Sequence, residues 1–180
     1  TWGGTAINLG IAPDSIEGLQ TMAAGARGAD LLVTTGGASV GDRDLVRHAL
    51  GVKGLEIDFW QIAMRPGKPL MFGRLGDTPV LGLPGNPVSS FVCAVLFLRA
   101  ALSQMLGLPT ALPQARARLG SDLRANDHRA DFLRASLSQS PDGDTVVTPF
   151  PVQDSSMMSI LARADALVLR EPKAPAARQG

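Results

Sequence analysis

The sequence predicts an α/β protein with a mainly parallel sheet, followed by a small all-β domain. Strand-like and helix-like segments alternate over residues 1–106, which is typical of a parallel sheet covered by helices. The stretch GLPTALPQ at residues 107–114 interrupts that alternation, and only short strand-like runs follow it. We therefore predict an α/β domain at residues 1–108 and a β-sandwich or open, barrel-like β-domain at residues 109–180.

The composition limits the classes of function. The chain has 180 residues, a formal net charge of +1 and 45% hydrophobic residues. This balance indicates a globular protein without general attraction to nucleic acid or to a membrane. The single cysteine, Cys93, excludes an internal disulfide and fits a reducing, cytoplasmic compartment. The opening TWGGTAINLG lacks the features of a signal peptide, and the longest apolar stretch, residues 87–106, is interrupted by polar residues and predicts a buried helix.

The elements of the first domain follow from capping residues and hydrophobic periodicity. TAINLG resembles the end of a strand, and DSIEGLQTMAAGARG predicts a helix with Asp14 as N-cap and Gly28 as C′ glycine. DLLVTTGG predicts a buried strand, and DRDLVRHAL predicts a second helix. LEIDFWQIAM alternates as a half-buried strand does, and LMFGRLGDTPVLGLP predicts two strands joined at Gly76-Asp77.

The second domain is predicted from four short runs: RARLGSDL, DFLRASLSQ, DTVVTPF and DALVLRE. The segment SPDGD separates two of them as a hairpin turn does. We expect the terminal segment PKAPAARQG to be frayed.

The turn LGLPGNPVSS, residues 81–90, predicts a stiff anion-binding site. Asn86 is a favoured N-cap and Pro87 a favoured first helical residue. Ser89 then falls in the first turn, where backbone N–H groups lack intrahelical partners and the helix dipole adds positive charge. Pro84 and Gly85 precede this helix start. An ordinary capped helix would show the same pattern, so this turn alone does not decide between the two interpretations.

Two further loops favour a phosphorylated ligand. TTGGASVGDRD lies between a predicted strand and a predicted helix, and its Ser39 can donate to a phosphate. Its glycines let the backbone approach the phosphate closely; they are Gly36, Gly37 and Gly41. MRPGKP supplies two cations, Arg65 and Lys68. Because loops at the carboxyl ends of strands line one crevice in an α/β sheet, we expect these loops to converge.

Two carboxylates in the glycine loop, Asp42 and Asp44, suggest that the ligand is accompanied by Mg²⁺. This cation commonly uses one or two carboxylates together with substrate phosphates. Acidic residues in a first helical turn also stabilise the helix dipole without a metal, so both interpretations stay open. The segment GASVG, residues 37–41, also matches the nucleophile elbow of serine hydrolases, with Ser39 as nucleophile. That alternative leaves RPGKP and PGNPVSS without a role.

Together, TTGGASVGDRDLV, FWQIAMRPGKPLMFG and GLPGNPVSS closely resemble the MoeA family of molybdopterin molybdenumtransferases, which includes the gephyrin E-domain. The three motifs stand in the order and spacing of that family. The resemblance continues through DFLRASL and VQDSSMMSILARADALVL, which are similar to its C-terminal β-domain. Members carry further N-terminal domains and an additional last strand. We therefore expect this chain to correspond to a C-terminal half that lacks the last strand and is inactive alone.

The resemblance implies a MogA-like molybdopterin-binding domain followed by a β-barrel-like domain, acting in molybdenum cofactor biosynthesis. The family reaction uses Mg²⁺ and molybdate, cleaves adenylylated molybdopterin, inserts the metal and releases AMP. By position, Asp14 and Asp44 would be catalytic residues and metal ligands, with Lys68 as a third catalytic residue. The residues that would line the molybdate site are Lys68, Ser89, Arg134 and Ser155, with Pro84 and Pro87 shaping the loop.

Where members often have lysine, this chain has Gln61 and Arg65, of which only Arg65 keeps the charge. The resemblance also implies a homodimer in the full-length protein and a MogA-type adenylyltransferase as partner. Two alternative functions stay open. One is a MogA-type adenylyltransferase, which RPGKP, PGNPVSS and the β-domain disfavour. The other is a non-catalytic peptide-binding scaffold such as the gephyrin E-domain.

Overall fold

The computed structural model describes residues 2–36 and 45–180, and it divides into two compact units. Unit 1 comprises Thr1–Ile62 and Gly67–Ala111, and unit 2 comprises Ala63–Pro66 and Leu112–Gly180. The division differs from a single boundary after residue 108, because residues 64 and 65 pair with a strand of unit 2.

The elements follow one another along the chain. The helices are α1 (Ile16–Ala24), α2 (Leu45–Gly51), α3 (Pro87–Cys93), which continues through a π-helical segment (Ala94–Leu98) into α4 (Arg99–Met105), and α5 (Met158–Leu161). The strands are β1 (Leu32–Thr35), β2 (Leu55–Phe59), β3 (Met64–Arg65), β4 (Met71–Leu75), β5 (Thr78–Leu83), β6 (Arg118–Leu119), β7 (Ala130–Gln139), β8 (Thr145–Pro149) and β9 (Ala166–Arg170).

The sheet of unit 1 has the strand order β1-β5-β4-β2. β1 and β5 are parallel, with Thr35 opposite Leu83, whereas β4 is antiparallel to both β5 and β2. The α/β class is confirmed, but the described sheet is mixed rather than mainly parallel. The reason is the two-residue turn at Gly76-Asp77, since a hairpin forces its two strands to run antiparallel. Gly76 suits this turn because its φ is +61°.

A hydrophobic core joins the helices of unit 1 to its sheet. Its buried members include Met71 and Val80 from the sheet and Leu50 from α2, and Leu9 packs against them from the N-terminal segment. That segment, predicted as the end of a strand, forms no strand among residues 2–15. It contributes the Leu9 side chain to the core instead.

The ends of α1 differ from the sequence prediction. Ser15 rather than Asp14 is the N-cap, because Ser15 has the extended backbone of a cap and its Oγ accepts from the N–H of Gly18 at 3.1 Å. The helix ends at Ala24, with Gly25 as C-cap. Gly28, predicted as the C′ glycine, follows later with a left-handed φ of +86°.

The long apolar helix Pro87–Met105 is buried mainly over its first two turns, through Val88, Val92 and Cys93. Its second half is only partly buried, and Met105 is 45% exposed. Within the described ranges this is the one helix that is long and apolar enough to cross a membrane. Core helices of soluble proteins meet the same criterion, so the finding is weak evidence for a membrane span.

Unit 2 is a small β structure built around β7. Its sheet has the order β3-β7-β8-β6, and β9 also pairs with β7. The terminal segment is paired rather than frayed as predicted. Ala177 forms a bridge with Leu123, Gly180 exchanges hydrogen bonds with Leu119, and the Arg178 guanidinium lies 2.8 Å from the Asp122 carboxylate.

Candidate anion-binding residues

Two glycine-containing loops meet at the carboxyl ends of β1 and β5. The N–H of Gly36 donates to the carbonyl of Leu83 at 3.1 Å. A Cβ built on Gly85 would lie 3.4 Å from the Cα of Gly36, so the two backbones approach closely without side chains between them. Pro84, which links the end of β5 to Gly85, is fully buried. Exposed backbone at such an edge suits an anionic ligand.

The helix that follows begins where the sequence predicts, but its cap differs. Asn86 has the extended backbone of an N-cap and Pro87 is the first helical residue, yet the Asn86 side chain makes no capping hydrogen bond. The Asn86 carbonyl accepts from the N–H of Ser90 at 2.8 Å. The first-turn N–H groups are therefore not satisfied by the Asn86 side chain. Ser89 lies in that turn and is 5% exposed.

Several predicted residues of the glycine loop lie outside the described residues: Gly37, Ser39, Gly41, Asp42 and Asp44. Asp14 is described; it is exposed before α1 and makes no ion pair within residues 2–36 and 45–180. Its carboxylate is therefore accessible to solvent. Within the same residues, no group of three or more His, Cys, Asp or Glu side chains could hold a metal ion.

The RPGKP loop folds back on itself around Lys68. The Lys68 carbonyl accepts from the N–H of Ile62 at 3.1 Å and from that of Leu70 at 3.0 Å. Gly67 has a left-handed φ of +113°, which only glycine adopts readily. The Lys68 side chain is exposed and has no ion pair among the described residues, so its ammonium is available to an anion.

Cys93 contacts this loop through its side chain. Its Sγ is 4.0 Å from the Gly67 carbonyl, and the residue is fully buried. Burial raises the pKa of the Cys93 thiol to about 12. The thiol is therefore neutral at physiological pH and is a packing group rather than a nucleophile.

In unit 2, Arg65 is held by carboxylates. Its Nε donates to Asp131 Oδ1 at 2.8 Å, its Nη2 donates to Asp131 Oδ2, and its Nη1 lies 3.5 Å from Asp127. Asp131 is buried, whereas the Arg65 side chain is 45% exposed. Two carboxylates balance this guanidinium, which weakens its attraction for an anion. Sequence reasoning missed Asp131, although an acidic residue at the start of the apolar strand DFLRASL was an available signal.

Arg134, in the middle of β7, is a buried cation of unit 2. It is fully buried, and its Nη1 donates to the Asp154 carbonyl at 3.0 Å. Its Nε and Nη2 have no hydrogen-bond partner among the described residues. Burial lowers the pKa of Arg134, and the nearby Asp154 carboxylate opposes that shift. A buried cation with unused donors is costly, so this guanidinium is suited to receive an anion.

The loop after β8 carries Ser155 and contacts Arg134. Gln153 hydrogen-bonds the backbone of Arg134, and the Asp154 carboxylate accepts from the N–H of Ser156 at 2.7 Å and from its Oγ at 2.6 Å. These two hydrogen bonds from Ser156, the side-chain one first, lower the pKa of Asp154. Ser155 is partly buried and has interactions of its own. Gln153 was not foreseen, because a glutamine in a loop gives no periodic signal.

The fold and these groups define a class of protein: an α/β unit with an anion-binding loop edge, followed by a small β unit that holds a buried arginine. Residues 1–104 match the family described as a probable molybdopterin binding domain, and residues 116–180 match the MoeA C-terminal region, domain IV. The chain belongs to the MoeA family.

Similar proteins carry related names. A molybdopterin molybdenumtransferase of Haemophilus influenzae is 32% identical over 168 residues, covering 92% of this chain and 41% of the relative. Cinnamon, a molybdenum cofactor synthesis protein of Drosophila melanogaster, is 33% identical over 142 residues, covering 77% of this chain and 23% of its own length. This chain therefore spans less than half the length of these relatives.

Solved structures show the same fold. The molybdopterin biosynthesis protein MoeA of Pyrococcus horikoshii superposes with a TM-score of 0.78 at 28% identity, covering 99% of this chain and 42% of that one. A molybdenum cofactor biosynthesis protein of Pyrococcus furiosus superposes with a TM-score of 0.74 at 24% identity, covering 99% of this chain and 57% of that one, and supports the fold alone.

Proposed function

We propose that the protein acts in molybdenum cofactor biosynthesis, inserting molybdate into adenylylated molybdopterin with release of AMP. The observation that carries this proposal is Arg134, a fully buried guanidinium whose Nε and Nη2 lack partners among the described residues. Molybdate is a tetrahedral dianion and the substrate that this reaction consumes. Charge-assisted hydrogen bonds from a guanidinium are well suited to such an oxyanion.

Each unit supplies a different kind of anion-binding group: backbone in unit 1 and a guanidinium in unit 2. The close backbone approach of Gly36 and Gly85 supports binding of the phosphate-bearing part of the substrate in unit 1. Arg134 supports oxyanion binding in unit 2. That Lys68, Ser89, Arg134 and Ser155 line one molybdate site stays a prediction.

The proposal extends to the cation, the assembly and the compartment. Mg²⁺ would be held by carboxylates including Asp14, with Asp44 as the second, and would neutralise phosphate charge during AMP release. We further propose a homodimer, supply of the adenylylated substrate by a MogA-type adenylyltransferase, and a cytoplasmic location.

The test replaces Arg134 with methionine, which has a similar length and no charge. Because a buried charge is replaced by a well-packed apolar side chain, the Arg134→Met variant should fold with equal or higher stability. Its molybdate affinity in the full-length protein should fall by about ten- to a hundredfold, at roughly 1.4 kcal/mol per decade. Titration calorimetry gives the affinity, and thermal melting verifies folding.

The control is Arg124→Ala, since Arg124 is exposed and has no ion pair within the described residues. Unchanged molybdate affinity in folded Arg134→Met would refute the proposal. The direction of the nucleotide reaction separates the adenylyltransferase alternative: a molybdenumtransferase releases AMP from adenylylated molybdopterin, whereas an adenylyltransferase forms that compound.

A further inference from the structure

On the edge of β7 that faces β8, the pairing between the two strands ends next to Arg134. β8 pairs with β7 only as far as Ala135, whose register partner Pro149 is the last residue of β8. The next N–H, that of Phe150, still donates to the Arg134 carbonyl at 2.9 Å, after which the chain leaves the sheet. The N–H of Arg134 on this edge therefore needs an acceptor that no further strand residue supplies.

The side chain of Gln153 takes the place of that strand residue. Its Oε1 accepts from the N–H of Arg134 at 3.0 Å, and its Nε2 donates to the Arg134 carbonyl at 2.9 Å. The same Nε2 donates to the Phe150 carbonyl at 2.8 Å. The amide thus uses both its acceptor and its donors on the backbone that it joins.

The neighbours of Gln153 extend this attachment to the Arg134 side chain. The Asp154 carbonyl accepts from Arg134 Nη1 at 3.0 Å, and the Asp154 carboxylate is itself fixed by Ser156. Arg134 is consequently held at its backbone by one residue and at its guanidinium by the next. Only Nε and Nη2 remain without partners among the described residues.

We propose that Gln153 is a positioning residue for oxyanion binding. By replacing the missing strand partner it fixes the loop 150–156 on β7, which sets the direction of the Arg134 guanidinium and the place of Ser155 in the loop. This inference rests on the proposed function, in which Arg134 binds molybdate.

The experiment uses three substitutions in the full-length protein. Gln153→Glu keeps the size but sets a carboxylate oxygen against two carbonyl oxygens, Gln153→Asn shortens the reach, and Gln153→Met keeps the length without polar atoms. The matched control is Gln139→Glu at the exposed end of β7. Each variant is titrated with molybdate and, separately, with AMP in the presence of Mg²⁺, and its folded fraction is measured by thermal melting.

We expect all three variants to bind molybdate about tenfold more weakly, which corresponds to roughly 1.4 kcal/mol. AMP affinity should stay within about twofold, or roughly 0.4 kcal/mol, because Gln153 acts through Arg134. The control should leave both affinities unchanged. A selective loss of molybdate affinity distinguishes positioning from general stabilisation.

Two results would overturn the inference while leaving the proposed function intact. One is unchanged molybdate affinity in folded Gln153→Asn and Gln153→Met when Arg134→Met has lost it. The other is a parallel loss of molybdate and AMP affinity, which indicates that Gln153 only supports the fold. If instead Arg134→Met binds molybdate as the unsubstituted protein does, the proposed function itself fails.

Discussion

Arg65 on β3 and Asp131 on β7 are register partners joined by a two-point ion pair. The strands are parallel, Arg65 stands opposite Asp131, and Arg65 Nε lies 2.8 Å from Asp131 Oδ1. Only 9% of the Asp131 side chain is exposed, so the carboxylate depends on this guanidinium for compensation of its charge. The pair fastens residues 63–66 to the rest of unit 2, although the chain on both sides of this segment belongs to unit 1.

The first prediction concerns this pair. Arg65→Ala leaves the buried Asp131 carboxylate without its partner and should lower the free energy of unfolding of the protein by about 2–3 kcal/mol. Arg65→Lys keeps the charge but loses the fork and should cost about 1 kcal/mol. Denaturant unfolding measures both. Arg118→Ala is the control, because the pair Arg118–Asp144 is exposed on both sides and should contribute below about 1 kcal/mol. Equal effects of Arg65→Ala and Arg118→Ala would contradict the prediction.

The second prediction concerns the contact between β4 and β2. A Cβ at Gly73 would lie 2.2 Å from the carbonyl oxygen of Glu56, a backbone atom of the paired strand. Gly73→Ala must therefore separate β2 from β4 and should destabilise the protein by about 3 kcal/mol or more. Gly51→Ala is the matched control, since nothing lies within 4 Å of its added Cβ at the end of α2. That change should stabilise by about 0.5–1 kcal/mol. A melting temperature of Gly73→Ala equal to that of the unsubstituted protein would contradict this explanation.

The parts of the fold that sequence could predict are those encoded by local patterns. The hairpin at Gly76-Asp77 follows from a turn dipeptide between apolar runs, and the helix start at Pro87 follows from the conformational preference of proline. The alternation of elements also yields the α/β class. In each case neighbouring residues carry the information.

The parts that sequence could not predict depend on residues far apart in the chain. Nothing near Arg65 indicates that β3 pairs with β7, 66 positions later. The pairing of Ala177 with Leu123 is equally non-local, whereas the composition of PKAPAARQG alone predicts a frayed terminus. Asn86 shows a third limit. The sequence predicts its position as N-cap, but it does not predict that the side chain makes no capping hydrogen bond.

The third prediction concerns acid sensitivity. Hydrogen bonds from the Arg129 side chain and backbone lower the pKa of Asp127, and those from the Gln179 N–H and the Arg178 side chain lower the pKa of Asp122. A carboxyl whose pKa is lowered in the folded state stabilises the protein above its unfolded pKa. That stabilisation is lost as pH falls through the folded pKa, so stability should decline from about pH 5 downward.

The measurement is the melting temperature as a function of pH between neutral and acidic solution. Asp127→Asn and Asp122→Asn should each lower stability at neutral pH and flatten the decline in acid. Asp142→Asn is the control, because Asp142 is exposed in the turn before β8 and has no ion pair within the described residues. If the melting temperature of Asp127→Asn fell in acid with the same slope as that of the unsubstituted protein, the prediction that Asp127 contributes to acid sensitivity would be contradicted.

The last prediction tests the RPGKP loop as a source of positive charge for an anion. The Lys68 ammonium is exposed and has no ion pair among the described residues, while the backbone that carries it is fixed by hydrogen bonds to Ile62 and Leu70. Charge-assisted hydrogen bonds contribute about 1.5–3 kcal/mol each. Lys68→Ala should therefore weaken molybdate or tungstate binding by about ten- to a hundredfold. Ser89→Ala should cost less, because the helix N-terminus and its backbone donors remain.

Lys53→Ala, at an exposed turn after α2, is the charge-matched control, and thermal melting should show that all three variants fold. If folded Lys68→Ala binds the anion as tightly as Lys53→Ala does, RPGKP is a connector between strands and not a binding loop.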